Sequence, residues 1–187
     1  MNKLKKRGAF TLIELLAVVL ILGILMAIVI PAVMKAISNS EKTAVKKEVV
    51  AIERSIAGYM TKYGCFPDEN NLATDRIYPT SKPNTFIINN LTGTNTTLTT
   101  LHGNPMQNNA ERIRFMEFDE ARYKSTAGYY DIWNQSYYIA LDTNNDNQLN
   151  ITFPSGGGTV ILKGRRIAVW SEGDPSESPK KRITSWD

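Results

Sequence analysis

From Leu15 to Met34 every residue is apolar, glycine or proline. At about 1.5 Å per residue, a helix of this length spans a hydrocarbon core of about 30 Å. Helices of soluble proteins rarely hide every face over such a run, so the segment predicts a membrane span. One carboxylate, Glu14, stands at its start. Placing an ionised carboxylate within a bilayer costs on the order of 3 kcal/mol, which marks Glu14 as functional and implies a partner.

The residues ahead of the run say where that partner comes from. The formal net charge is +4. Lys3, Lys5, Lys6 and Arg7 supply all of it, and the remainder of the chain is neutral. The basicity is therefore a topological marker and indicates no nucleic acid. It keeps the N-terminal flank cytoplasmic and places everything after Met34 outside. A secretory signal peptide carries its small-residue cleavage site after the apolar core; here Gly8 and Ala9 precede it. Cutting there removes the charged leader, keeps the helix, and creates an α-amino group in the layer of Glu14. Within one straight helix Glu14 is expected to point away from its own N-terminus. The amine of a neighbouring subunit is then the better partner, which suggests lateral assembly.

The stretch GAFTLIELL followed by a long apolar helix resembles the N-terminal processing motif of type IV pilins and type II secretion pseudopilins. That resemblance implies a prepilin peptidase that cuts after a small residue and N-methylates the new first residue, usually Phe. Phe10 matches, as does Glu14 four residues later. Gly23 and Pro31 agree with the family register and would bracket the stretch that melts when a subunit enters a filament. Glycine and proline are the residues least favourable inside a helix. The family expects Gly directly before the Phe, whereas Ala9 intervenes here. Cleavage between Ala9 and Phe10 keeps Glu14, Gly23 and Pro31 in register and is favoured, giving an N-methylated Phe10; cleavage between Gly8 and Ala9 is the alternative.

Four regions follow: a cleaved leader over 1–9, a transmembrane and assembly helix over 10–34, its amphipathic continuation over 35–64, and an extracytoplasmic α+β head over 65–187. In the third, Ile37, Val45, Val49, Ile52, Ile56, Tyr59 or Met60, and Tyr63 recur every three or four residues, with charges on much of the other face. This stripe needs a sheet to pack on, and the helix should stop at Gly64. Residues 66–109 read as a variable surface segment with a short strand at TFIINN. RIRFMEF is a strand candidate, QSYYIAL and LNITF read as a hairpin across an Asn/Asp turn, and GTVILKG or RIAVWSE supplies the last strand. The class is α+β, a long N-terminal helix on a small antiparallel sheet.

In that Asn/Asp turn, Asp142, Asn144 and Asp146 alternate like the first ligands of a calcium loop, and Asn147 sits where such loops need positive φ. The closing glutamate is absent, because Phe153 occupies its position, so calcium would need another carboxylate from elsewhere. The other reading is a plain polar turn. No cofactor is required. The tail RIAVWSEGDPSESPKKRITSWD resembles the end of the major pseudopilin, whose acidic loop can hold calcium; here PKKR replaces part of the acidity around Glu172, Asp174 and Glu177.

Nucleophile elbows, paired metal-ligand histidines, phosphate loops and redox cysteine pairs are missing from the sequence. Cys65 is the single cysteine and His102 the single histidine. The chain is expected not to be an enzyme but a structural subunit of a type II secretion pseudopilus or type IV pilus-like filament. Its partners would be prepilin peptidase, an assembly platform and ATPase, the bacterial inner membrane, and further pilin subunits in the periplasm or at the cell surface. The alternative is an extracytoplasmic binding or enzymatic domain on a simple signal anchor.

Overall fold

The computed structural model describes residues 10–67, 74–80, 83–94, 109, 111–178 and 181–187. Helix α1 covers Leu12–Tyr63. It stops where the spacing of apolar residues predicts: Gly64 takes the left-handed φ of 71°, and its N–H donates to the Met60 carbonyl at 2.8 Å. A left-handed glycine just past the last turn is a common helix terminator.

Packing divides the chain after Glu41. In the first unit the apolar side chains of α1 all face outward, from Phe10 (80% exposed) to Ile37 (54%). Ile37, expected on the buried stripe, is therefore exposed. Gly23 and Pro31 both lie inside the helix, which runs through them without a break. Pro31 has no N–H to offer the carbonyl four residues back, so the helix is weakest there. This is also a helix long and apolar enough to cross a membrane.

The second unit, Lys42–Asp187, is the head. Its main sheet is antiparallel, in the order β1 (Arg76–Tyr78), β4 (Tyr138–Leu141), β7 (Ile167–Ser171) and β8 (Ile183–Thr184). The pairs Ile139↔Val169 and Leu141↔Ile167 alternate with Tyr138↔Trp170 and Ala140↔Ala168. Successive strand residues point to opposite faces. One face thus turns Ile139, Leu141, Ile167 and Val169 into a cluster with Val45, Val49, Ile52, Ile56 and Tyr59 of α1. The opposite face gives Ala140, Ala168 and Trp170 to a second cluster with Leu149, Ile151 and Phe153. Leu149 and Ile151 belong to β5 (Gln148–Thr152), which Phe153 directly follows and which pairs with β6 (Thr159–Lys163). With both faces covered, every residue of β7 is buried.

Several expectations are corrected. TFIINN is not a strand: Thr85–Thr92 form helix α2, which buries Ile87, Ile88 and Leu91. RIRFMEF joins no ladder; the N–H groups of Phe115 and Met116 both donate to the Leu91 carbonyl, capping the end of α2. QSYYIAL and LNITF do not form a hairpin. β4 is claimed by β1 and β7, whereas β5 turns back through Gly156–Gly158 onto β6. Both GTVILKG and RIAVWSE are strands. A two-stranded ribbon, β2 (Tyr123–Lys124) and β3 (Gly128–Tyr129), completes the head. Gly128 is required there: it sits at φ 108°, and a Cβ would stand 1.8 Å from Oδ1 of Asn84.

Two carboxylates, half-buried Glu48 and buried Asp131, tie these elements together. Glu48 of α1 accepts two bonds from the guanidinium of Arg122 and one from the Tyr137 hydroxyl. Asp131, 1% exposed, accepts from the N–H groups of Trp133 and Gln135 and from the Ser171 hydroxyl. Burial outweighs these bonds and pushes the Asp131 carboxyl above the ordinary aspartate range. The folded state therefore binds more protons than the unfolded chain, and Asp131's contribution to stability falls as pH rises from about 4 through its elevated pKa. Asp131→Asn keeps a carbonyl for the two N–H groups and removes the charge. In denaturant titrations of the full chain in detergent, the stability of wild type relative to this variant should drop with rising pH across that window. A pH-independent difference would refute the assignment.

Candidate functional site

The N-terminus of α1 is built from Thr11 and Glu14. The Thr11 backbone N–H and hydroxyl each donate to Oε2 of Glu14 at 2.8 Å, and the Glu14 N–H returns to the Thr11 hydroxyl oxygen at 3.3 Å. This is a reciprocal capping box, in which Thr and Glu three positions apart satisfy each other's backbone donors. The expectation that Glu14 points away from its own N-terminus is overturned: the carboxylate curls back onto it. The signal was present in the sequence as T-x-x-E ahead of an apolar run. Thr11 is thus a site residue that the spacing of Phe10 and Glu14 alone does not reveal. Among the described residues both hydrogen bonds to the Glu14 carboxylate come from Thr11 and fall on one oxygen. Phe10 is 80% exposed beside it. Gly8 and Ala9 lie outside the described residues, as does His102.

A second cluster forms at the Asn/Asp turn. Asp142 and Asp146 come together with Asp75, one carboxylate oxygen of each lying within 4.8 Å of the others. Asp75 precedes β1 and is the carboxylate from elsewhere that a calcium site required; nothing local to the turn points to it. Asp142 is fully buried, and its two oxygens take the N–H groups of Asp146 (3.2 Å) and Asn147 (3.1 Å). Asn144 bonds Asp146 through its amide at 3.0 Å, and Asn147 adopts the expected positive φ, 62°. The nearest cation is Arg166, 3.7 Å from Asp142. Oδ2 of Asp75 accepts the Asn150 N–H, while its Oδ1 is buried without a hydrogen bond. Burial, and secondarily the charges of Asp146 and Asp142, raise the Asp75 carboxyl above its ordinary range despite that bond. Three hard oxygen donors with an orphaned lone pair among them suit calcium in chemistry; as the ion takes six to eight oxygens, carbonyls and water would have to complete its shell.

The C-terminal acids are not brought together. Glu172, 4% exposed, accepts from the Trp170 indole N–H (3.2 Å), the Ser155 hydroxyl and Nε of Arg182 (3.1 Å). Asp174 is occupied by Ser176, and Glu177 pairs with Lys42. The guanidinium of Arg182 lies 4.0 Å from the centroid of Phe153 and so bridges β5 to the tail. Arg182, from the PKKR run, supplies the positive charge at this loop. Cys65 is half-buried, and burial raises its thiol pKa, which makes it less reactive.

Comparison with known proteins matches residues 4–30 to the prokaryotic N-terminal methylation motif. Over 63 residues, 34% of this chain, the sequence is 36% identical to the type II secretion system core protein G of Pseudomonas aeruginosa. The match covers 44% of that relative, so the chain spans less than half the length of the curated protein it resembles. No solved structure matches significantly. A methylation motif heading an apolar helix, an α+β head and this partial identity make the chain similar to a pseudopilin.

Proposed function

We propose that the chain is a structural subunit of a pseudopilus or pilus-like filament, processed by a prepilin peptidase at the inner membrane. The observation that carries this reading is the Thr11–Glu14 box at the head of a fully exposed apolar helix. Thr11 occupies one oxygen of Glu14 and leaves the other open. Cleavage before Phe10 would put a new α-ammonium in the same layer, and the free oxygen of Glu14 would receive that group from an adjoining copy. The apolar side chains exposed from Phe10 to Ile37 would leave lipid for one another in the assembled helix bundle. Gly23 and Pro31, helical in the single chain, mark where α1 gives way most readily during that transfer. A platform protein and ATPase would drive the extraction.

Glu14→Ala should reduce polymer recovered from cells at least tenfold while the head stays folded and membrane-bound. Unchanged assembly would instead favour a tethered domain on a simple anchor. Intact mass of the mature chain should fit N-methylated Phe10 as first residue; a chain starting at Ala9 refutes that register.

Asp75, Asp142 and Asp146 would hold calcium as a structural ion, the orphaned oxygen of Asp75 being the supporting observation. A ligand that binds only the folded state, present at a hundred times its dissociation constant, stabilises by about 2.7 kcal/mol. Saturating calcium should therefore raise the melting temperature of the wild type, and Asp75→Asn should abolish the rise. A wild type indifferent to calcium would end this assignment.

A further inference from the structure

The three aspartates at the Asn/Asp turn have a cation beside them. Among the described residues Arg166 is the one that pairs with them, its Nε 3.7 Å from Oδ2 of Asp142. That separation is too long for a hydrogen bond and leaves an electrostatic contact. Nη2 of the same guanidinium donates to Oδ1 of Asn145, which lies in the turn between Asp142 and Asp146. The guanidinium carbon stands over the Phe66 ring, 5.1 Å from its centroid.

The two ends of Arg166 are held differently. Its backbone carbonyl accepts the Asp142 N–H at 3.0 Å, which keeps its Cα beside the turn. Its side chain is 44% exposed, against 1% for Asp142, and has room to swing into water. A guanidinium has no acceptor and ligates no metal ion; near a cation site it neutralises or repels. Three carboxylates drawn together repel one another, and the burial of Asp142 strengthens that repulsion. One tethered positive charge relieves part of it. A divalent ion among the same oxygens would relieve more, and would be repelled by the guanidinium already there.

The geometry points to Arg166 as a built-in competitor of calcium: its guanidinium neutralises Asp142 when calcium is withheld, weakens binding of the ion, and swings outward as the ion enters. The inference rests on the calcium reading of Asp75, Asp142 and Asp146 and adds to it the residue that sets the concentration at which the site fills. The affinity of an oxygen-ligand calcium site follows its ligand charge, so a neighbouring fixed cation moves it toward the weak end of the range.

Calcium itself is the probe, titrated calorimetrically into the full chain in detergent after chelator treatment, with melting temperature followed in parallel. Arg166→Gln removes the charge and keeps an amide that can donate to Asn145. With chelator present this variant should melt below wild type, and calcium should close the gap. Its calcium dissociation constant should fall about tenfold, the scale of taking one unit charge from beside a divalent ion in a water-like dielectric. A residue that merely held the turn in shape would give the opposite sign, so unchanged or weaker affinity in Arg166→Gln overturns the competition. If that variant does not fold, Asn145→Gly decides by the same sign: it frees the guanidinium from the turn, keeps every charge, and suits the φ of 59° at that position. Binding gained only in a variant upholds Arg166 as competitor while ending calcium as a resident ion of the wild type. No binding in wild type or either variant sinks the calcium reading itself.

Discussion

Everything in the first third of the chain follows from the difficulty of keeping a carboxylate at the head of a helix that has no polar face. In hydrocarbon Glu14 cannot rely on water, and an unbonded anion there is costly. The chain answers locally with Thr11, whose N–H and hydroxyl converge on one oxygen. This solves two problems together, because the first turn of any helix has backbone donors without intrahelical partners.

Beyond Glu41 the same helix changes solvent. Its stripe from Val45 to Tyr59 is fully buried against the sheet. Hydrophobic burial is non-directional and does not by itself fix how a helix sits on a sheet. Glu48 adds direction. Its bonds from Arg122 and Tyr137 join α1 to the segment before β2 and to the residue before β4. A half-buried carboxylate with three charge-assisted donors discriminates against sliding of the helix by a turn, which would leave guanidinium and carboxylate unpaired.

How much of this was legible depended on the range of the signal. The stripe and the Gly64 stop are local patterns of three or four residues; the stop holds, and the stripe holds from Val45 onward but not at Ile37. TFIINN misled because its β-branched residues suit a strand, yet Ile87, Ile88 and Leu91 fall on one helical face and Gly93 closes it in the left-handed region. The false hairpin came from reading adjacent strands as partners. The burial patterns tell them apart: β5 alternates, as a strand with one covered face must, whereas β7 is buried throughout. Asp75 was out of reach because it approaches Asp142 only through the pairing of β1 with β4, where Arg76 opposes Leu141. Thr11 is legible in the sequence as the first residue of T-x-x-E, the pattern of a capping box, which the spacing of Phe10 and Glu14 does not reveal.

The order of strands has a further effect on biogenesis. The sheet interleaves early and late segments, and Lys46 on α1 donates to Thr184, 138 positions onward. Trp170 depends on Trp186 for part of its cover. A polypeptide emerging N-terminus first can form α1 at once, but the stripe from Val45 to Tyr59 stays wet until β7 and β8 follow. Closure of the head thus waits for the last strands of the chain, and until they arrive the stripe is an exposed apolar surface.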